Sequence, residues 1–167
     1  VQTCALPILM ELSIVSHACL TVKAGGVRLV VDPWITGQVY WGSWWHWPEP
    51  VCGPELFDAD YVYLTHWHFD HFHEESLSRF NKKAHILLPR FPVSGMARHV
   101  RRLGFTTVTE LQQGTGIELG PGFRLTSYQV RHEDDSLAVI EADGTVIVDL
   151  NDAKPLPSTW RSEEHTS

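Results

Sequence analysis

Long apolar runs are missing from this chain: no stretch approaches the roughly twenty uninterrupted apolar residues that a membrane-spanning helix needs. Nor does a charged-then-apolar leader with a small-residue cleavage site open it, so a soluble, cytoplasmic protein is expected. Cysteine is scarce. Cys4, Cys19 and Cys52 are odd in number and irregularly spaced, which implies neither a disulfide framework nor a structural zinc knuckle and fits a reducing compartment. Basic charge is short as well: 13 Lys+Arg against 20 Asp+Glu give a net charge of −7, which repels a phosphate backbone. The one dense basic stretch, Arg98-His99-Arg101-Arg102, is too short to reverse that, so neither nucleic acid nor a membrane is expected as a partner. Internal repeats and low-complexity linkers are also absent. With 167 residues, 43% of them hydrophobic, the chain can build one domain with a real core and not two.

The two ends stand apart from the rest. Residues 1–8 (VQTCALPI) and 161–167 (RSEEHTS) look like in-frame translations of the adapters used in short-read DNA sequencing, not native protein. On that reading the domain spans 9–160, Met10 is its start, Cys4 and His165 carry no function, and the fold is truncated at its C-terminal end.

What is present begins with short β-type runs. ELSIVS (11–16), CLTVKA (19–24) and VRLVVD (27–32) predict a meander, with Gly25-Gly26 as a hairpin turn. Further strands are predicted at 60–65, 84–88, 106–111, 123–130, 137–142 and 145–150, the last two joined by Asp143-Gly144. Helices are expected at 73–80, with acidic residues in the first turn, and at 93–103, where Val93, Met96, Ala97, Val100 and Leu103 share a face and Gly104 is the stop. Five of the seven tryptophans (Trp34, Trp41, Trp44, Trp45 and Trp47) crowd into fourteen residues. Together with Tyr40 and His46 they read as the border of a pocket that could stack on a flat apolar ligand face, or as a hydrophobic flap or partner surface. His17, Trp34 and His46 are the candidate substrate-pocket residues.

The segment Thr65-His66-Trp67-His68-Phe69-Asp70-His71-Phe72-His73 carries the chemistry. It follows an apolar strand and precedes a helix, so it occupies a loop at a strand's C-terminal end, where α/β folds build sites. Imidazole suits zinc, iron and manganese, and carboxylate adds a hard anionic ligand. On an extended segment His66 and His68 point the same way and can reach one ion, while Asp70 and His71, after the chain turns, face a second. His73 reads as a helix-entry residue, and His85 and His99 as surface or ordinary packing. Cys19 and Cys52 lack an activating pattern.

H-x-H-x-D-H after a hydrophobic strand resembles the metal-binding signature of the metallo-β-lactamase fold superfamily, which implies an α+β, αββα sandwich. The resemblance extends to Asp32, matching an aspartate that steadies the ligands from behind, to His132 in YQVRHEDDSLAVI, and to Asp152 in TVIVDLNDA. It implies one metal on His66, His68 and His132 and a second on Asp70 and His71, with Asp152 bridging in preference to Asp149 and Asp70 the candidate catalytic residue. The family's final histidine has no candidate here, so the second of the two divalent ions (Zn or Fe/Mn) lacks a ligand. From about 11 to 157, the order SHACLTV, VVDPWITG, WPEP, YVYLTHWHFDHF, ILLPRFPV, DDSLAVI and LNDAKP resembles the corresponding domain of sugar-nucleotide N-acyl hydroxylases, in which it accompanies a Rieske iron–sulfur domain. Ser16-His17-Ala18 is also similar to a step in lactonase-like hydrolases. No Rieske ligand pair, C-x-H followed by C-x-x-H, occurs in the sequence. The expected function is hydrolysis by metal-activated hydroxide at a carbonyl or phosphoryl centre of a small-molecule substrate. The alternative is oxygenation of a substrate such as a sugar nucleotide in concert with a Rieske domain, and a fragment without catalysis is the third reading.

Overall fold

The structure, a computed structural model, describes residues 10–130 and 135–154. Both terminal segments read as adapter translations, and the candidate ligand His132, lie outside the described residues. The chain opens with an antiparallel meander of β1 (Glu11–Ser16), β2 (Cys19–Ala24) and β3 (Val27–Val31). Its β2–β3 turn uses Gly25 and Gly26 at φ 57° and 82°, the left-handed pair that a two-residue hairpin requires. A small ribbon of β4 (Gln38–Val39) and β5 (Trp44–Trp45) follows. Then β6 (Tyr61–Tyr63), β7 (His85–Pro89) and β8 (Val108–Leu111) add to β3 as successive parallel neighbours, completing a six-stranded mixed sheet. Two short helices, α1 (Glu74–Ser78) and α2 (Met96–Arg102), make the crossovers. A second, antiparallel sheet contains β9 (Thr115–Gly120), β10 (Phe123–Val130), β11 (Asp135–Ala142) and β12 (Thr145–Asp149) in the order β12-β11-β10-β9.

Side-chain alternation along the strands explains the layers. In β3, β6 and β7, Val30, Val62, Ile86 and Leu88 face one way and pack with Leu77, Phe80, Met96 and Val100 from the helical side. Their neighbours Leu29, Val31, Tyr63 and Leu87 face the other way, into a core shared with Leu119, Phe123, Leu125, Ala138 and Ile140 of the second sheet. The central strands β3, β6 and β7 are therefore buried on both faces, which is why they read as continuous apolar runs, whereas the edge strand β1 is largely exposed. No helix among the described residues is long and apolar enough to cross a membrane.

The strand ends differ from the sequence expectation in instructive places. β9 was not expected, because Gly116 and Gly120 weaken a strand pattern that Ile117 and Leu119 alone carry. The second helix begins after Gly95 and leaves Val93 90% exposed, so Val93 does not share the buried face. Nor do His66 and His68 lie on an extended segment: β6 ends at Tyr63, the chain bends at 66–67, and the His68 carbonyl accepts from the N–H groups of His71 (3.0 Å) and Phe72 (2.7 Å). The compact turn, not strand alternation, gathers these imidazoles.

Leu87→Ala, which opens a void between the sheets, is expected to lower unfolding free energy by about 2–5 kcal/mol. Val146→Ala, on the outer face of β12 at 60% exposure, should change it by no more than about 0.5 kcal/mol. Urea denaturation of both variants checks the pair.

Candidate metal centre

Asp32 follows β3 and is fully buried, in the left-handed region at φ 42°. Its carboxylate gathers three distant pieces of chain. Oδ1 accepts the Thr65 backbone N–H at 2.8 Å, and Oδ2 accepts the Thr65 hydroxyl at 2.5 Å and the Nδ1–H of His71 at 2.8 Å. Asn151, in the turn after β12, also donates its side-chain amide to Oδ2. One anion thus ties the ends of β3, β6 and β12 together at the carboxyl edge of the parallel strands.

The hydrogen bonds fix which ring nitrogens are free. Because Asp32 is an acceptor, the Nδ1–H of His71 is committed to it and Nε2 is the nitrogen turned to the cluster. The Thr65 hydroxyl donates its hydrogen to Asp32, so its oxygen accepts from His66 Nδ1 (2.9 Å), as does Asp135 Oδ1 (3.1 Å). His66 Nε2 then faces the same space, 2.8 Å from His68 Nδ1 and 3.9 Å from Asp152 Oδ2. His71 Nε2 lies 3.5 Å from both Asp152 Oδ2 and Asp70 Oδ2. Asp152 therefore lies between His66 and His71, and groups with His66 and His68. Asp149, the competitor for that place, has a buried Oδ2 without a hydrogen-bond partner among the described residues, and burial together with the Asp32 charge raises its carboxyl to about 7.

His71 is fully buried, and its Nε2 makes no hydrogen bond among the described residues. A buried nitrogen left unpaired costs about 1–3 kcal/mol. Burial alone would lower its basicity, but the bond from Asp32 and the charges of Asp32, Asp70 and Asp152 raise it to about 9. The site thus demands a positive charge at this nitrogen, which a proton or a cation can supply. Asp70 is desolvated, yet the Tyr40 hydroxyl donating to Oδ1 at 2.6 Å and the neighbouring His71 hold its carboxyl below the ordinary value. Separations of 2.8–3.9 Å fit donors sharing an ion at about 2.0–2.2 Å each. The orphaned Nε2 and this mixed imidazole–carboxylate donor set suit a divalent cation.

Two cavities flank the cluster. One, of about 870 Å³, is lined by His66, His68, Asp135, Asn151 and Asp152 among others. The other, of about 790 Å³, is lined by His17, Trp34, Trp44, Trp45, His46 and Trp47, so the three residues read as a substrate pocket share one wall system. His46 Nε2 donates to the Trp34 carbonyl at 3.1 Å, and burial lowers its basicity. His17 joins the two regions: its Nε2 is 3.0 Å from Asp70 Oδ2 and its ring packs edge-on against Trp34. Outside the cluster, His73 caps α1 by accepting from the Ser76 N–H, His99 pairs with Glu74 at 2.6 Å, and His85 bonds Thr109. Asp135, Asn151 and the Tyr40–Asp70 bond were not anticipated; the only sequence sign was D-D-S following the expected His132.

The family model for the beta-lactamase superfamily domain matches residues 11–152. The chain belongs to this superfamily, with the metallo-β-lactamase fold. Members of this superfamily are metal-dependent enzymes, hydrolases and hydroxylases among them. A Mycolicibacterium smegmatis protein described as a Rieske 2Fe-2S iron-sulfur protein is 30% identical over 158 residues, 88% of this chain and 30% of its own length. The cytidine monophosphate-N-acetylneuraminic acid hydroxylase of Danio rerio is 39% identical over 76 residues, 44% of this chain and 13% of its own. This chain spans less than a third of the length of these curated relatives. Among solved structures, CmlA, a diiron beta-hydroxylase from Streptomyces venezuelae, superposes with a TM-score of 0.70 at 22% identity, over 96% of this chain and 33% of that one. An isothiocyanate hydrolase from Delia radicum gut bacteria gives 0.61 at 18% identity, over 79% and 58%. At those identities the two structures speak to the fold alone.

Proposed function

We propose that this chain is the metal-binding domain of an oxygenase that hydroxylates a small organic substrate of the sugar-nucleotide class and receives electrons from a Rieske-type iron–sulfur domain of the whole protein. The observation that carries this reading is the similarity to a Rieske protein across 88% of the chain, joined by the sugar-nucleotide hydroxylase. It reverses the order of the sequence analysis, which put hydrolysis first. Hydrolysis is the second reading, since the superfamily includes metal-dependent hydrolases as well as hydroxylases.

His66, His68, Asp70, His71 and Asp152 would hold the ions, with His132 as the further candidate. Bound there, iron supplies open coordination positions for oxygen chemistry, whereas zinc supplies Lewis acidity and an acidified water. The chain's own residues do the rest. Asp32 holds a proton on His71 Nδ1, and Thr65 and Asp135 hold one on His66 Nδ1, so both Nε2 atoms face inward, where a cation would take the lone pair. Tyr40 occupies Asp70 Oδ1 and leaves Oδ2 for the cluster. Trp34 is buried behind His46 and His17, and the half-exposed Trp44 ring borders the approach from the aromatic cavity, where it offers a flat apolar face to a ring-bearing substrate.

The test is metal analysis of the protein with its iron–sulfur partner, followed by oxygen-electrode and hydrolysis assays. Retained iron with substrate-dependent oxygen uptake is the expected outcome, and a chelator should abolish it. Zinc-dependent hydrolysis with no oxygen consumed would replace this reading by the second.

A further inference from the structure

We propose that His17 is itself a ligand, completing a second cation position with His71 Nε2 and Asp70 Oδ2. This deepens the metal-dependent reading above and rests on it. In the sequence His17 belongs to a pocket wall, and the second ion is one imidazole short. The structure brings His17 Nε2 to 3.0 Å from Asp70 Oδ2, the oxygen that lies 3.5 Å from His71 Nε2. The donor atoms of His17, Asp70 and His71 all fall within 4.8 Å of one another. With bonds of about 2.0–2.2 Å, two ligands of one ion are separated by at most about 4.4 Å, so 3.0 and 3.5 Å are distances between neighbouring ligands.

Two independent observations support a built site. The His71 nitrogen that faces His17 and Asp70 is buried and unpaired among the described residues. The His17 ring is also held in place from several sides. It packs edge-on against Trp34 (5.5 Å), Trp44 (6.1 Å) and His71 (5.9 Å), and the preceding Ser16 hydroxyl donates to the Trp34 carbonyl at 2.5 Å. Placing an imidazole here costs little further ordering when the ion arrives. At 39% side-chain exposure, it also leaves that ion reachable from the aromatic cavity.

The experiment is a titration of the full chain with Zn²⁺ alone, read by calorimetry and by metal content after gel filtration. The unmutated chain is expected to bind two equivalents, and the second should move the imidazole ¹⁵N resonances of His17. His17→Ala and His17→Gln should both keep the first equivalent and weaken the second at least about tenfold, while His99→Ala keeps both. Glutamine retains an N–H donor toward Asp70. Full recovery of the second equivalent in His17→Gln would therefore make His17 a hydrogen-bonding residue and overturn the proposal. So would binding of one equivalent by the unmutated chain, or unmoved His17 resonances. Because the readout is zinc occupancy, failure of hydroxylation leaves it unaffected, and its failure leaves the oxygen-uptake test standing.

Discussion

Asp32→Ala is expected to cost about 3–5 kcal/mol of stability and to empty the metal centre. The carboxylate accepts from the Thr65 backbone and hydroxyl, His71 and Asn151, with no exposure to solvent. Removing it strands buried donors and releases His71 to turn its ring or move its proton to Nε2, where it would face the cluster as a donor. Asp32→Asn separates the two effects. It preserves volume and some hydrogen bonding but loses the charge and cannot accept at both positions, so the fold should survive while metal affinity falls about 10–100-fold. Urea midpoints and metal content of the two variants, measured together, check this. Full metal occupancy in Asp32→Ala would mean that the imidazoles do not depend on it.

His68→Ala should do the reverse, leaving the fold nearly intact and stripping metal. His68 is exposed, and among the described residues its side chain bonds only His66 Nε2, at 2.8 Å, so the metal-free variant should lie within about 0.5 kcal/mol of the parent. Losing an imidazole ligand should weaken the ion shared with His66 by more than about 100-fold. His99→Ala is the matched control: it breaks the pair with Glu74 and the edge contacts to Trp67 and Phe72, costs about 1 kcal/mol, and keeps its metal. Equal metal content in both would remove His68 from the ligand set.

Much of the centre was legible because its chemistry is local. Four donor-type side chains in six residues announce themselves without any knowledge of the fold, and Asp32 ends a strand whose apolar pattern is plain. The supporting partners were not legible, because sheet register alone decides them. Ser136, in β11, donates its hydroxyl to the Thr65 carbonyl 71 positions away, and Tyr63 reaches both Ser127 and Ser136 across the two sheets at 2.8 Å. Nothing in the neighbourhood of either serine distinguishes it from a solvent-facing residue of a strand. Tyr40 read as one aromatic among many until its hydroxyl was found on Asp70. His66 and His68 do converge, at 2.8 Å, but the reason was misread: it is a turn and not strand alternation, because that depends on where β6 stops, and a three-residue strand has boundaries finer than residue patterns resolve.

The clasp between Asp32 and Asn151 spans 119 positions, and this orders events in time. Contacts of such separation pay their loop-closure entropy before they contribute any stabilisation, so they form late. During refolding, the His66–His71 turn exists as soon as its own few residues close, and it can capture a stray ion early and loosely. The full arrangement of donors, with Asn151 on Asp32, arises only when the last strand of the second sheet docks. Excess metal present from the start should therefore trap half-assembled chains, whereas the same metal added after refolding should meet a finished cradle.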